Sequence, residues 1–158
     1  MTTATIAQLK KELKHLSSEE LERLCLRLAR FKKENKELLT YLLFEAENEE
    51  RYIKNVQLHI DAGFETINTK SYFYMKKTIR KVLRETKKFI RYSGNKETEV
   101  ALLLYFCNKL KALKPSIKNN RVLTNLYERQ LIFIEKKIEA LHEDLQYDYT
   151  IELENLTA

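Results

Sequence analysis

The sequence predicts an all-α fold of five to seven antiparallel helices, forming either an irregular helical bundle or two stacked, solenoid-like helical hairpins with flanking helices. Three observations lead there. Apolar residues recur three and four apart along most of the 158 residues, the period of a helix with one buried face. Only two glycines and one proline are present, too few turn formers for a sandwich, a barrel or another loop-rich β fold. Charged residues make up 33% and apolar residues 44%, which excludes collagen, a low-complexity linker and a disulfide scaffold. A chain of this length buries roughly two-thirds of its unfolded surface. The expected organisation is one helical domain over residues 1–146, followed by an acidic, Tyr-containing tail over 147–158.

The elements follow in order. Ile6, Leu9, Leu13 and Leu16 predict a short first helix. Ser17 with Glu20 is a capping box, in which each side chain satisfies a free backbone N–H. Leu21, Leu24, Cys25, Leu28 and Phe31 are the apolar stripe of the helix it starts, and Asn35 is the expected break. Leu38, Leu39, Leu42, Leu43, Ala46, Ile53, Val56 and Ile60 continue the helical period. The polar run Glu45–Glu50 divides that long stretch, and Gly63 is the expected stop. A further helix starts between Asn68 and Ser71 and ends at Gly94. Another spans about 96–113 and stops before Pro115. A last long helix covers about 117–145. Beyond it, Tyr147, Tyr149, Ile151 and Leu153 alternate with polar residues, the period of a strand, and read as a flexible or extended docking tail.

Asn35-Lys36-Glu37 followed by Leu38–Phe44 resembles Asn95-Lys96-Glu97 followed by Leu102–Phe106. The echo fits two stacked hairpins or chance likeness between Leu- and Lys-rich helices.

Charge is unevenly placed. Residues 70–121 hold 15 Lys/Arg against 3 Glu, a net of +12, whereas residues 1–69 carry a net of −1 and residues 122–158 a net of −5. On a helical wheel Lys76, Lys77, Arg80, Lys81, Arg84, Lys87, Lys88 and Arg91 fall within an arc of about 140°. Tyr72, Met75, Ile79, Val82, Leu83, Phe89 and Ile90 occupy the opposite side, and Glu85 lies at the edge. Like charges four apart cost a few tenths of a kcal/mol per pair, so an anionic partner that neutralised the row would recover part of that cost. Phosphate backbones are the commonest extended polyanions. Phe73 lies inside the basic arc, flanked by Tyr74 and Tyr92, and is a candidate for base stacking. Lys109, Lys111, Lys114, Lys118 and Arg121 extend the field if they lie nearby.

The leading expectation is therefore a non-enzymatic interaction module. Its face over about 76–91, with Phe73, binds an anionic macromolecule, nucleic acid being favoured over an acidic protein. The alternative is a helical scaffold or adaptor that binds protein through apolar grooves or self-associates through its tail, with the basic face merely solvated or paired with the chain's own acids.

Constellations for catalysis are missing. Glu12 with His15 and Glu139 with His142 have the Glu-x-x-His spacing of di-iron bundles, but neither pair points into an apolar stripe as a unit. His59, beside Asp61 near a helix end, reads as a favourable cation there. No Gly-rich phosphate loop and no Ser-centred elbow is present. No metal, cofactor or catalytic residue is expected. Cys25 and Cys107 both fall in apolar stripes and are expected as free, buried thiols of a reducing compartment. Met1–Leu9 lacks a basic-then-apolar leader pattern. The run Val100–Cys107 is far short of the ~20 residues of a membrane span. The expected location is cytoplasmic.

Overall fold

A computed structural model describes all residues, 1–158. Eight α-helices and two short helical turns account for the secondary structure, with no strand. They are α1 (Ile6–Leu13), α2 (Ser18–Phe31), α3 (Lys33–Thr40), α4 (Glu49–Glu65), α5 (Tyr72–Ser93), α6 (Lys96–Lys111), α7 (Arg121–Glu139) and α8 (Glu143–Thr157). The all-α class is as the sequence predicts. The count is one higher because residues 143–157, expected in part as a tail, form a helix of their own beyond the two long stretches. A π-turn over Tyr41–Glu45 and the bend at Asn48 split the first, and a break at Ala140–His142 splits the last.

The chain divides into two compact units, residues 1–44 and 45–158. In the first unit, Thr5 with Gln8 and Ser17 with Glu20 form capping boxes at the starts of α1 and α2. Each box satisfies two orphan N–H groups, which fixes where the helices begin. α3 packs on α2. The break between them falls at Lys32, which is extended, rather than at Asn35. Asn35 lies in the first turn of α3 and its Nδ2 donates to the Leu28 carbonyl at 2.7 Å, so it caps the end of α2 from outside. The stripe Leu21, Leu24, Leu28 and Phe31 is amphipathic as expected but solvent-exposed. Cys25 is exposed too, against the expectation of a buried thiol.

The second unit holds the large core, and α6 is its axis. Val100, Leu102, Leu103, Leu104, Phe106, Cys107 and Leu110 are each at most 1% exposed. A helix that is apolar on nearly every side belongs in the middle, and α6 packs on α4, α5, α7 and α8. Paired side chains give the directions. Tyr52 Oη donates to the Phe89 carbonyl at 2.7 Å, His59 meets Glu85 at 2.7 Å and Ser93 donates to Glu49 at 2.9 Å, so α4 and α5 run antiparallel. Lys137 with Glu99 at 3.5 Å sets α7 antiparallel to α6. Tyr127 Oη donates to the Leu156 carbonyl at 2.7 Å, which sets α8 antiparallel to α7.

Two expectations change here, and the internal echo reads as chance likeness. α4 runs through Gly63 to Glu65 instead of stopping there. The segment expected as a free tail is α8, with Leu153 and Leu156 buried. The two similar stretches do not take equivalent places. Residues 35–44 form α3 and most of the π-turn, whereas 95–106 open the central helix. No helix is long and apolar enough to cross a membrane.

Candidate functional site

α5 owes its length to clear signals at both ends. The Ser71 side chain accepts from Tyr74 N–H at the start. Gly94 closes the end at φ 65°, donating its N–H to the Ile90 carbonyl. That left-handed conformation suits glycine because it has no Cβ to clash. Met75, Ile79, Val82, Leu83, Thr86 and Ile90 form its buried seam.

The cations lie away from that seam. Lys77, Arg80, Lys81, Arg84 and Arg91 are exposed, and Lys76, Lys87 and Lys88 are half-buried. Lys88 interacts within the fold. The other seven make no ion pair and no side-chain hydrogen bond with any acid of the chain. The helix's one acid is already engaged, since Glu85 Oε2 sits 2.7 Å from His59 Nε2 on α4. His59 also stands edge-on to Phe89, with ring centroids 5.1 Å apart. Its partner is therefore Glu85 across the helix pair rather than Asp61.

Phe73 is 70% exposed at the N-terminal end of the row. Tyr74 meets it edge to face, with centroids 5.4 Å apart at 79°. Tyr92, at the other end, is half-buried against Phe89. Of the expected aromatic group, Phe73 and Tyr74 thus present open ring surface and Tyr92 does not.

The second basic segment divides. Lys109 pairs with Asp61 at 3.2 Å. Lys111 Nζ donates to the carbonyls of Asn155 and Ala158 at 3.0 and 3.2 Å, so it caps the C-terminal end of α8, where a cation opposes the helix dipole. Neither extends the field of α5. Tyr72 Oη donates to the Ser116 carbonyl at 2.7 Å and ties the loop after α6 to the start of α5. That tie brings Lys114 and Lys118, both exposed and unpaired, toward the Phe73 end. The acidic C-terminal segment packs as α8 on α7 and α6, and its Tyr149 donates to Glu97 at 2.9 Å.

Asp61 accepts from Tyr105 at 2.6 Å as well as from Lys109. That hydrogen bond, then burial, pushes the Tyr105 phenol up to about 12. Tyr105 and Lys109 stand four apart on one face of α6, which the sequence displays, but the acceptor they share lies 44 residues before Tyr105. Burial alone pushes the Cys107 thiol up to about 12, whereas a reactive thiol needs an exposed, electropositive setting. His142 is the N-cap of α8, its Nδ1 accepting from Asp144 N–H at 3.3 Å. No three His, Cys, Asp or Glu side chains converge on a point where a cation could sit.

No protein-family model matches this chain, and neither a curated protein nor a solved structure shows significant similarity to it.

Proposed function

We propose that the outer face of α5 binds an extended polyanion, with single-stranded nucleic acid the favoured ligand, and that the role is binding rather than catalysis. One observation carries the reading: seven cations on one side of a single rigid helix have no acid partner in the fold. Desolvation costs little at such a site, and each phosphate neutralised releases condensed counterions. Arg80, Arg84 and Arg91 are the best phosphate contacts, because guanidinium bonds bidentately. Lys76, Lys77, Lys81, Lys87 and Lys88 supply the surrounding field. Phe73, beside Tyr74, offers a base a stacking surface at one end.

The test is a fluorescence titration of the full chain with a labelled mixed-sequence single strand at several salt concentrations. Neutralising about four phosphates gives a log–log slope near −3. Arg80→Ala with Arg84→Ala flattens that slope by about one or more. Absence of binding at low salt, or affinity indifferent to salt, overturns the proposal. Equal competition by polyglutamate reassigns the face to acidic protein.

A further inference from the structure

The segment that carries the positive excess supplies almost no counter-charge of its own. Residues 70–121 contain three acids, Glu85, Glu97 and Glu99. Glu85 meets His59, Glu97 accepts from Tyr149 and Glu99 pairs with Lys137, all partners outside that segment. None of the three pairs with the cations around the start of α5.

The loop after α6 is built into that end of the row. Tyr72 Oη donates to the Ser116 carbonyl at 2.7 Å. Ser116 Oγ accepts from Lys118 N–H at 3.2 Å, and Thr124 Oγ1 donates to the Ile117 carbonyl at 2.9 Å. Ile117 itself is buried. Lys114 and Lys118 flank this pinned point, two residues to either side of Ser116, and both are exposed. Cations on an ordered loop cost a ligand less conformational entropy than cations on a free one.

The loop does not continue the row in line. Neighbouring residues of a helix point about 100° apart, so the loop held by Tyr72 lies to one side of Phe73, which is 70% exposed. Tyr72 also stands one turn before Lys76, at the edge of the row. A ligand that touches both the row and the loop must turn at Phe73. Duplex DNA is stiff over about 150 bp and keeps its bases stacked on one another. A single strand turns there and lays an unstacked base on an open aromatic ring.

We infer that the site on α5 ends in a corner: a single strand runs along Lys76–Arg91, sets a base on Phe73 beside Tyr74, and carries its next phosphates onto Lys114 and Lys118. The inference rests on the polyanion reading of α5 and supplies the reason that an unpaired strand is preferred to a duplex.

Fluorescence titrations of the full chain with a single strand of about 15 nucleotides and with a duplex of the same length test it, with circular dichroism to show that each variant folds. Lys114→Ala with Lys118→Ala weakens strand binding by about tenfold at low salt and flattens its salt slope by about one, and it leaves the duplex as it was. Phe73→Ala weakens the strand by about fivefold or more, again sparing the duplex. Lys54→Ala with Lys136→Ala removes the same charge from exposed positions on α4 and α7, which separates lost contact from lost net charge. A strand that binds but is weakened no more by the loop variant than by this control overturns the corner and leaves the α5 reading standing. So does a loop variant that weakens the duplex equally. A chain that binds neither ligand overturns the α5 reading, and the corner with it.

Discussion

Gly63 sets how closely α4 and α5 approach. A Cβ built there falls 2.5 Å from Val82 Cγ2, inside the contact distance of any two carbons. Val82 is β-branched and only 2% exposed, so it has no free rotamer to move into. Gly63→Ala therefore forces the helices apart. The overpacking costs about 1–3 kcal/mol, and the better helix propensity of alanine returns up to about 1 kcal/mol. The expected net loss is about 1–2 kcal/mol in urea unfolding. Val82→Ala alone also destabilises, by opening a cavity. In the double variant the two changes compensate, and its loss is smaller than the sum of the single losses. Strict additivity would mean that the close approach is absent. The role of Gly63 was hidden from the sequence. A lone glycine late in an apolar pattern reads as a helix end, and only the position of Val82, 19 residues on, shows that the missing side chain makes room for another helix.

Element boundaries were legible where a side chain makes the cap. Ser17, Ser71 and Asn95 each accept from the backbone N–H groups of the helix they start, and Gly94 ends α5 in the only conformation of the chain with positive φ. That Lys76 to Arg91 lie off the buried seam of α5 was legible for another reason: one long, uninterrupted helix sorts its own residues by angle. What the sequence could not display is what lies across from a face. It showed that the stripe of α2 is apolar but not that it stays exposed, and it did not reveal the partners of Lys109 and Lys111. α8 is the clearest divergence. Over 147–153 apolar and polar residues alternate, and so short a window fits a strand. The inward positions are Tyr149, Leu153 and Leu156, four and three apart, and Leu156 lies beyond the alternating stretch. Truncation after Gln146 separates the two readings. Loss of a free tail would leave stability unchanged. Loss of α8 removes two buried leucines worth about 1.5–3 kcal/mol each and strips Tyr127 of its acceptor. The expected outcome is a chain destabilised by more than about 3 kcal/mol in urea, or one that fails to fold. A truncated chain with native stability would refute α8 as part of the core.

At the scale of the whole molecule, the contacts that hold α6 among its neighbours make the second unit sensitive to base. Tyr105 hydrogen-bonds Asp61 on α4, Cys107 is sealed in the core, and Tyr127 and Tyr149 join α7 and α8 to the assembly. All four titrate upward from their ordinary values of 9.0 and 10.0. The hydrogen bond to the Asp61 carboxylate leads for Tyr105, and burial leads for Cys107, Tyr127 and Tyr149. For the first three the shift reaches about 12. A group whose pKa is higher in the folded chain binds its proton more tightly there, so the unfolded chain releases it first. The stability tied to that proton is whole below the unfolded value and drains as pH rises through the folded one. Thermal melts should therefore show a melting temperature that falls steadily from about pH 9 toward pH 12. Absorbance at the phenolate band should show part of the nine-tyrosine signal arriving together with loss of helix rather than before it. Tyr127→Phe lowers stability near neutrality, because the Leu156 carbonyl loses its donor, yet shallows the alkaline decline by removing one of the four coupled protons. A melting temperature level up to pH 11.5, or a Tyr127→Phe profile parallel to the native one, would mean that these groups do not gate the packing around α6.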